Sequence, residues 1–112
     1  MSTLNRTNGG TATCSGTGST STATLNNRFG KLTTAALTTA GLADHTITLT
    51  NSGIAATDMV WATLALGTST TGTPIVRLVT PAAGSMTIVI SNLHATVAVN
   101  GTLVVSYGSF PA

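Results

Sequence analysis

The sequence predicts an all-β protein, an antiparallel β-sandwich or jelly-roll-like domain that carries an extended N-terminal arm. Three observations predict this fold class. The 112 residues include no Glu and no Gln, two residue types that usually cover helix surfaces. Thr, Val and Ile, which favour strands, supply 25, 8 and 5 residues. Short stretches in which apolar and polar residues alternate recur between clusters of Gly, Asn, Ser and Pro.

The composition changes near residue 29. Residues 1–28 are nearly all Ser, Thr, Gly, Asn and Ala, and Leu4 and Leu25 are their only large apolar residues after Met1. Such a segment buries too little apolar surface to offset the entropy lost on ordering it. We therefore expect residues 1–28 to be an extended arm that lies on a partner surface, and residues 29–112 to be the β-sandwich domain.

Five strands are predicted in the first part of this domain, each bounded by a turn cluster. The clearest is the second, in which Ile47 and Leu49 alternate with threonines, as in a strand with one buried face. In the third strand, both faces carry apolar or small residues. The predicted strands cover residues 29–37, 45–51, 58–66, 75–80 and 85–91.

The dipeptide Asn100-Gly101 predicts a final hairpin. This pair is preferred in two-residue type I′ turns because both positions need a positive φ. It lies between strands predicted over residues 95–99 and 102–107, and the pairing would place His94 opposite Tyr107. Seven short strands joined by turns are typical of a sandwich or jelly roll.

Charged residues are scarce, and this excludes several functions. The chain has four Lys and Arg and two Asp, with a net charge of +2. Four cations are too few for a nucleic-acid surface. Asp44 and His45 are adjacent in a strand and point to opposite faces, so they do not form a catalytic pair. With two His and the single Cys14 as the other candidates, we expect no enzyme, no cofactor, no metal and no small-molecule substrate.

Membrane insertion and secretion are also not expected. The longest apolar run, residues 59–66, is too short to span a bilayer. Residues 1–28 lack the apolar region of a signal peptide. We therefore expect synthesis in the cytoplasm and no membrane partner.

Two groups of residues are candidates for contacts with other proteins. Arg6, Arg28 and Lys31 lie in or beside the predicted arm, where they either keep it soluble or bind acidic groups of a docking surface. The domain is small and has no disulfide, so oligomerisation is expected to stabilise it. The side chains expected at a trimer interface are Trp61, His94, Tyr107 and Phe110.

Four stretches of the domain combine turn motifs with Thr-rich strands: TLTNSGIAAT at 48–57, GTPIV at 72–76, VTPAAGS at 79–85 and NGTL at 100–103. These stretches resemble small proteins of tailed bacteriophages, namely the capsid decoration (or cement) proteins and related short virion spikes. The resemblance implies a β-sandwich trimer at three-fold or quasi-three-fold positions on the outer surface of a capsid. It implies no catalytic residues.

The expected function is that of a structural virion protein. As a homotrimer it would bind the major capsid protein on the outside of the phage head and stabilise contacts between major capsid subunits, with the arm along the shell. Two alternatives remain. One is a trimeric receptor-binding tail fibre or spike tip, in which Trp61 and the loop 67–73 face a host glycan. The other is an adhesin or surface-layer domain of cellular origin.

Overall fold

The computed structural model describes residues 9–111, which form eight β-strands and no helix. Sheet 1 has the strand order β1-β3-β8-β5, and sheet 2 has the order β2-β4-β7-β6. The two sheets pack against each other, so the prediction of an all-β sandwich is confirmed. The strands are β1 (Gly9–Thr13), β2 (Thr20–Thr24), β3 (Phe29–Thr33), β4 (Asp44–Thr50), β5 (Met59–Leu66), β6 (Pro74–Ala82), β7 (Ser85–Asn92) and β8 (Leu103–Phe110).

The sheets are antiparallel except at one edge of each. The central pairs β3–β8, β5–β8, β4–β7 and β6–β7 are antiparallel. However, β1 pairs with β3, and β2 with β4, in parallel. The antiparallel arrangement predicted for residues 29–112 is therefore confirmed, because every pair among β3 to β8 is antiparallel. The two parallel pairs come from β1 and β2, which lie in the segment predicted to be an arm.

The core lies between the sheets and is filled by alternate residues of the strands. Ile47 and Leu49 of β4 are fully buried, as their spacing predicts, and so is Met86 of β7. Burying each such side chain stabilises the fold by about 1.5–3 kcal/mol. The largest fully buried side chains are Tyr107, Leu32, Leu37, Ile47, Leu49, Met86, Ile88, Ile90, Leu103, His45, Val99 and Val105.

The N-terminal segment is part of the sandwich wherever the structure describes it. Residues 1–8 lie outside the described residues, but residues 9–28 contain β1 and β2, which extend both sheets. The inward side chains Cys14 and Ala23 are buried in the core, and Ala12 and Leu25 pack against it. The predicted arm over 1–28 is therefore wrong for residues 9–28. Small side chains and ladder hydrogen bonds hold these strands, and composition does not reveal either contribution.

The predicted hairpin at Asn100-Gly101 is also wrong. Residues 95–99 form no strand, and neither residue of the pair has the positive φ that a type I′ turn requires. Instead, the Gly101 carbonyl accepts a hydrogen bond from the Leu37 N–H at 2.9 Å. A Cβ on Gly101 would come within 2.8 Å of the Ser69 nitrogen. Glycine is needed here for close packing of two loops rather than for a hairpin turn.

Candidate functional site

Four large apolar side chains lie together at one end of the outer face of sheet 1; we call Phe29, Met59, Trp61 and Phe110 the aromatic patch. The registers place Trp61 and Phe29 on either side of Gly108 and Met59 opposite Phe110. The Phe29 and Phe110 rings meet edge to face, with centroids 5.9 Å apart. Relative exposures are 61% for Met59, 40% for Trp61 and 38% for Phe110. The patch therefore leaves substantial apolar surface in water.

Gly108 determines how Trp61 lies on this face. A Cβ on Gly108 would overlap the Trp61 indole, so the ring rests directly on the glycine backbone of β8. No side chain larger than hydrogen would allow that approach. The sequence offers no signal for this contact, because the two residues are 47 positions apart and meet only through the β5–β8 register.

A groove of about 400 Å³ runs beside the Trp61 ring toward β1. One row across the sheet borders this groove and consists of Thr11, Lys31 and Ser106. Lys31 therefore places a positive charge at the border of the groove. Within the described residues, no ion pair involves Lys31 or Arg28. The groove is lined by Gly9, Gly10, Thr11, Phe29, Gly30, Lys31, Trp61, Ser106 and Tyr107.

Most of the residues predicted to contact other proteins, where the structure describes them, lie in this region. Lys31, Trp61 and Phe110 share the outer face of sheet 1, and Arg28 is exposed directly before β3. The Arg28 carbonyl accepts a hydrogen bond from the Ser109 N–H at 3.1 Å. The candidate Arg6 lies outside the described residues. Two pairs of residues predicted for different roles, Arg28 and Lys31 for docking and Trp61 and Phe110 for trimer contact, are thus found in one region of the surface.

Tyr107 does not belong to that surface, and its assignment to a trimer interface is wrong. Its side chain is fully buried, and its hydroxyl donates a hydrogen bond to the Asn27 carbonyl at 2.6 Å. Burial raises the pKa of this phenol. The ring packs toward Gly30, where a Cβ would come within 2.7 Å of it. Tyr107 therefore supports the groove from beneath.

His94 is also separated from the aromatic patch. It lies in the segment that precedes β8, whereas Phe110 ends that strand. Its Nδ1 accepts hydrogen bonds from the Thr96 and Val97 N–H groups at 3.1 and 3.0 Å. The predicted pairing with Tyr107 is wrong because the hairpin that would produce it does not form. In this structure His94 stabilises a turn.

Asp44 and His45 point to opposite faces of β4, as predicted. His45 is fully buried; its Nδ1–H donates to the Gly18 carbonyl at 2.8 Å, and its Nε2 accepts from the Ser21 hydroxyl at 2.9 Å. Because the Gly18 carbonyl can only accept, it fixes the proton on Nδ1. His45 thereby anchors β2 and the preceding loop to β4. The sequence pattern does not reveal this contact.

Asp44 closes a polar ring on the outer face of sheet 2. The Ser91 hydroxyl donates to its Oδ1 at 2.6 Å, and Arg77 Nη2 donates to its Oδ2 at 2.8 Å. Arg77 Nε also donates to the Ser91 hydroxyl oxygen at 2.9 Å. These contacts hold the pKa of Asp44 below its ordinary value. These hydrogen bonds join β4, β6 and β7. The Arg77–Asp44 pair, which is the one ion pair within residues 9–111, therefore has a structural role.

Comparison with known proteins adds no relative. No family model, curated protein or solved structure matches this chain. Across residues 9–111, His, Cys and Asp side chains do not gather in groups of three that could hold a metal ion. The same residues include no helix long and apolar enough to cross a membrane.

Proposed function

We propose that this protein is a structural virion subunit, a capsid decoration protein. As a homotrimer it binds the major capsid protein on the outside of a phage head and stabilises contacts between neighbouring capsid subunits. The observation that supports this proposal most directly is the aromatic patch. The resemblance of four stretches of the sequence to phage decoration proteins supports a phage capsid as the surface to which the protein binds.

The composition of the patch is that of a protein interface. Aromatic residues, Met and Arg are enriched at the cores of interfaces, and Trp is prominent among residues that dominate binding energy. The patch brings Trp61, two Phe and Met59 together, and Arg28 and Lys31 lie at its border. A contiguous exposed apolar surface on a small domain marks an interaction site. We assign the patch to the contact between sister subunits, with the bordering cations available to the capsid.

Such a protein acts mechanically and needs no cofactor. Many copies bound to one shell add their contacts, so individually weak interactions together resist expansion of the head. The N-terminal segment contributes less to this than its composition predicts, because residues 9–28 already pair within the sandwich.

A charge placed in the patch tests the subunit contact. We expect Phe110→Lys to reduce the mass measured by sedimentation equilibrium to one third of the wild-type mass, because Phe110 belongs to the patch and lies on the interior strand β8. Leu78→Lys is the matched control, because Leu78 is exposed on the outer face of sheet 2. Equal masses for wild type and Phe110→Lys would contradict the trimer. Heads stripped of this protein should regain heat resistance with the wild type and not with Phe110→Lys.

A receptor-binding tail fibre or spike tip is a second candidate, favoured by the groove beside Trp61. An aromatic ring next to a groove of about 400 Å³ suits a sugar ring stacked on the indole. The loop 67–73 does not line this groove, because it follows the other end of β5. Glycan-array binding that is lost in Trp61→Ala, together with labelling at the tail in electron micrographs, would favour this candidate.

A further inference from the structure

The strand β5 presents an unprotected edge. It is the outermost strand of sheet 1, and among residues 9–111 its backbone pairs with β8 on one side only. The pairing runs from Met59 to Leu66 without a register shift. The segment MVWATLAL contains no charge, no Pro and no Gly. A long edge of this kind exposes a row of N–H and C=O groups that can pair with another strand.

The other three edge strands carry devices that block such pairing. In sheet 2, β6 contains Pro74 and Pro81 and a bulge between Val76 and Leu78, where Arg77 emerges. The remaining edges, β1 and β2, are only five residues long. Prolines, bulges, charges and short strands are the usual means of preventing edge-to-edge association. Of the four edge strands, β5 alone is long, regular and free of these features.

We propose that β5 pairs in antiparallel fashion with β5 of a second copy, which joins two copies of sheet 1 into one continuous eight-stranded sheet. An antiparallel self-pairing is two-fold symmetric, so a single contact satisfies both free edges. No charge in β5 opposes the approach of its own copy. A second copy is therefore the occupant that this uncharged edge fits.

The side-chain alternation restricts the register of this pairing. Residues directly opposite each other in a sheet point to the same face, so the two-fold axis passes between the two copies of a single residue. The registers with the longest overlap of β5 centre the axis on Ala62 or on Thr63. Trp61 then lies opposite Thr63 or Ala65 of the second copy, on the outer face in both. Each register pairs seven residues of β5, and both place the two aromatic patches on the same side of the joined sheet.

This contact goes beyond the proposed function, because a two-fold edge contact joins one trimer to another rather than forming a trimer. It predicts an even number of chains in the wild-type particle. Loss of the edge contact halves the mass, whereas loss of the patch contact divides it by three. The two proposals therefore fail independently in the same sedimentation experiment.

Charges at position 63 test the edge. Thr63 is exposed at the centre of β5, and Glu or Lys there places like charges together across the two-fold axis. We expect Thr63→Glu and Thr63→Lys each to have half the wild-type mass, and an equimolar mixture of the two to recover it. Thr80→Glu, an exposed threonine on the edge strand of sheet 2, is the matched control and should keep the wild-type mass.

An odd number of chains in the wild type, or an unchanged mass in both position-63 variants, would overturn the edge contact. A measurement on the wild type covers the case in which these variants do not fold. Hydrogen exchange of β5 amides should slow as the concentration rises, while exchange at the β6 edge stays constant. Equal β5 exchange across a hundredfold dilution, at concentrations spanning the mass change, would also overturn the proposal.

Discussion

Replacing Asn92 with alanine should destabilise this protein by about 3–4 kcal/mol, because one buried side chain bonds three loops. Asn92 is fully buried at the end of β7. Its Nδ2 donates to the carbonyls of Thr39 and Val97 at 3.0 and 2.9 Å, with Ala40 further away at 3.3 Å. Its Oδ1 accepts from the N–H groups of Thr73 and His94 at 2.9 and 3.1 Å.

The magnitude follows from burial rather than from the number of bonds. The Asn92 side chain is fully buried and its hydrogen bonds are partly buried, whereas the backbone N–H groups that bond Asn100 are exposed. A group kept from water and left without a partner costs about 1–3 kcal/mol, whereas an exposed group bonds to water instead. The matched control is Asn100, whose amide makes a similar set of bonds to Ser69, Thr70 and Thr71 but which is exposed. Asn100→Ala should therefore cost less than about 1 kcal/mol.

Urea unfolding of the two variants measures the difference, provided that the slope with denaturant stays constant. Asn92→Asp adds a second check, because the new carboxylate would face the carbonyls that now accept from Nδ2. Repulsion and burial would raise the pKa of that carboxyl in the folded state. The variant should then gain stability as the pH falls toward 4. Equal losses in Asn92→Ala and Asn100→Ala would refute this reasoning.

Three further predictions concern single groups. The Ser91 hydroxyl lowers the pKa of Asp44. The contribution of Asp44 to stability is therefore present at neutral pH and is lost as the pH falls through the lowered pKa. In an acid titration, Asp44→Asn should lose less stability than the wild type. Burial raises the pKa of the Cys14 thiol, so it should react with a thiol reagent only after unfolding, and fast native labelling would show that the N-terminal strands open. Gly108→Ala should displace the Trp61 ring into water and shift its fluorescence to the red; an unchanged spectrum would contradict the packing described above.

Much of the fold could be predicted from local pattern. The alternation around Ile47 and Leu49 identifies β4 and its buried face, because a period of two depends on the residues of one strand alone. The predicted strands over 58–66, 75–80 and 85–91 match β5, β6 and β7 to within one or two residues for the same reason. The candidate site was predicted only in part. Trp61, Phe110 and Lys31 could be selected as exposed candidates, but their placement on one face depends on β8 lying between β3 and β5.

The sequence by itself determined that this chain builds sheets, carries few charges and has little material for catalysis, because propensity, alternation and composition are properties of neighbouring residues. Only the tertiary structure decided that residues 9–28 belong to the sandwich, that Asn100-Gly101 makes no hairpin and that Tyr107 is buried. Each of these depends on backbone groups far apart in the chain. From composition alone, the Thr-rich segment 9–28 is predicted to be an arm, because its hydrogen-bond partners are unknown. In the folded protein it forms two strands, because the backbones of β3 and β4 supply those partners.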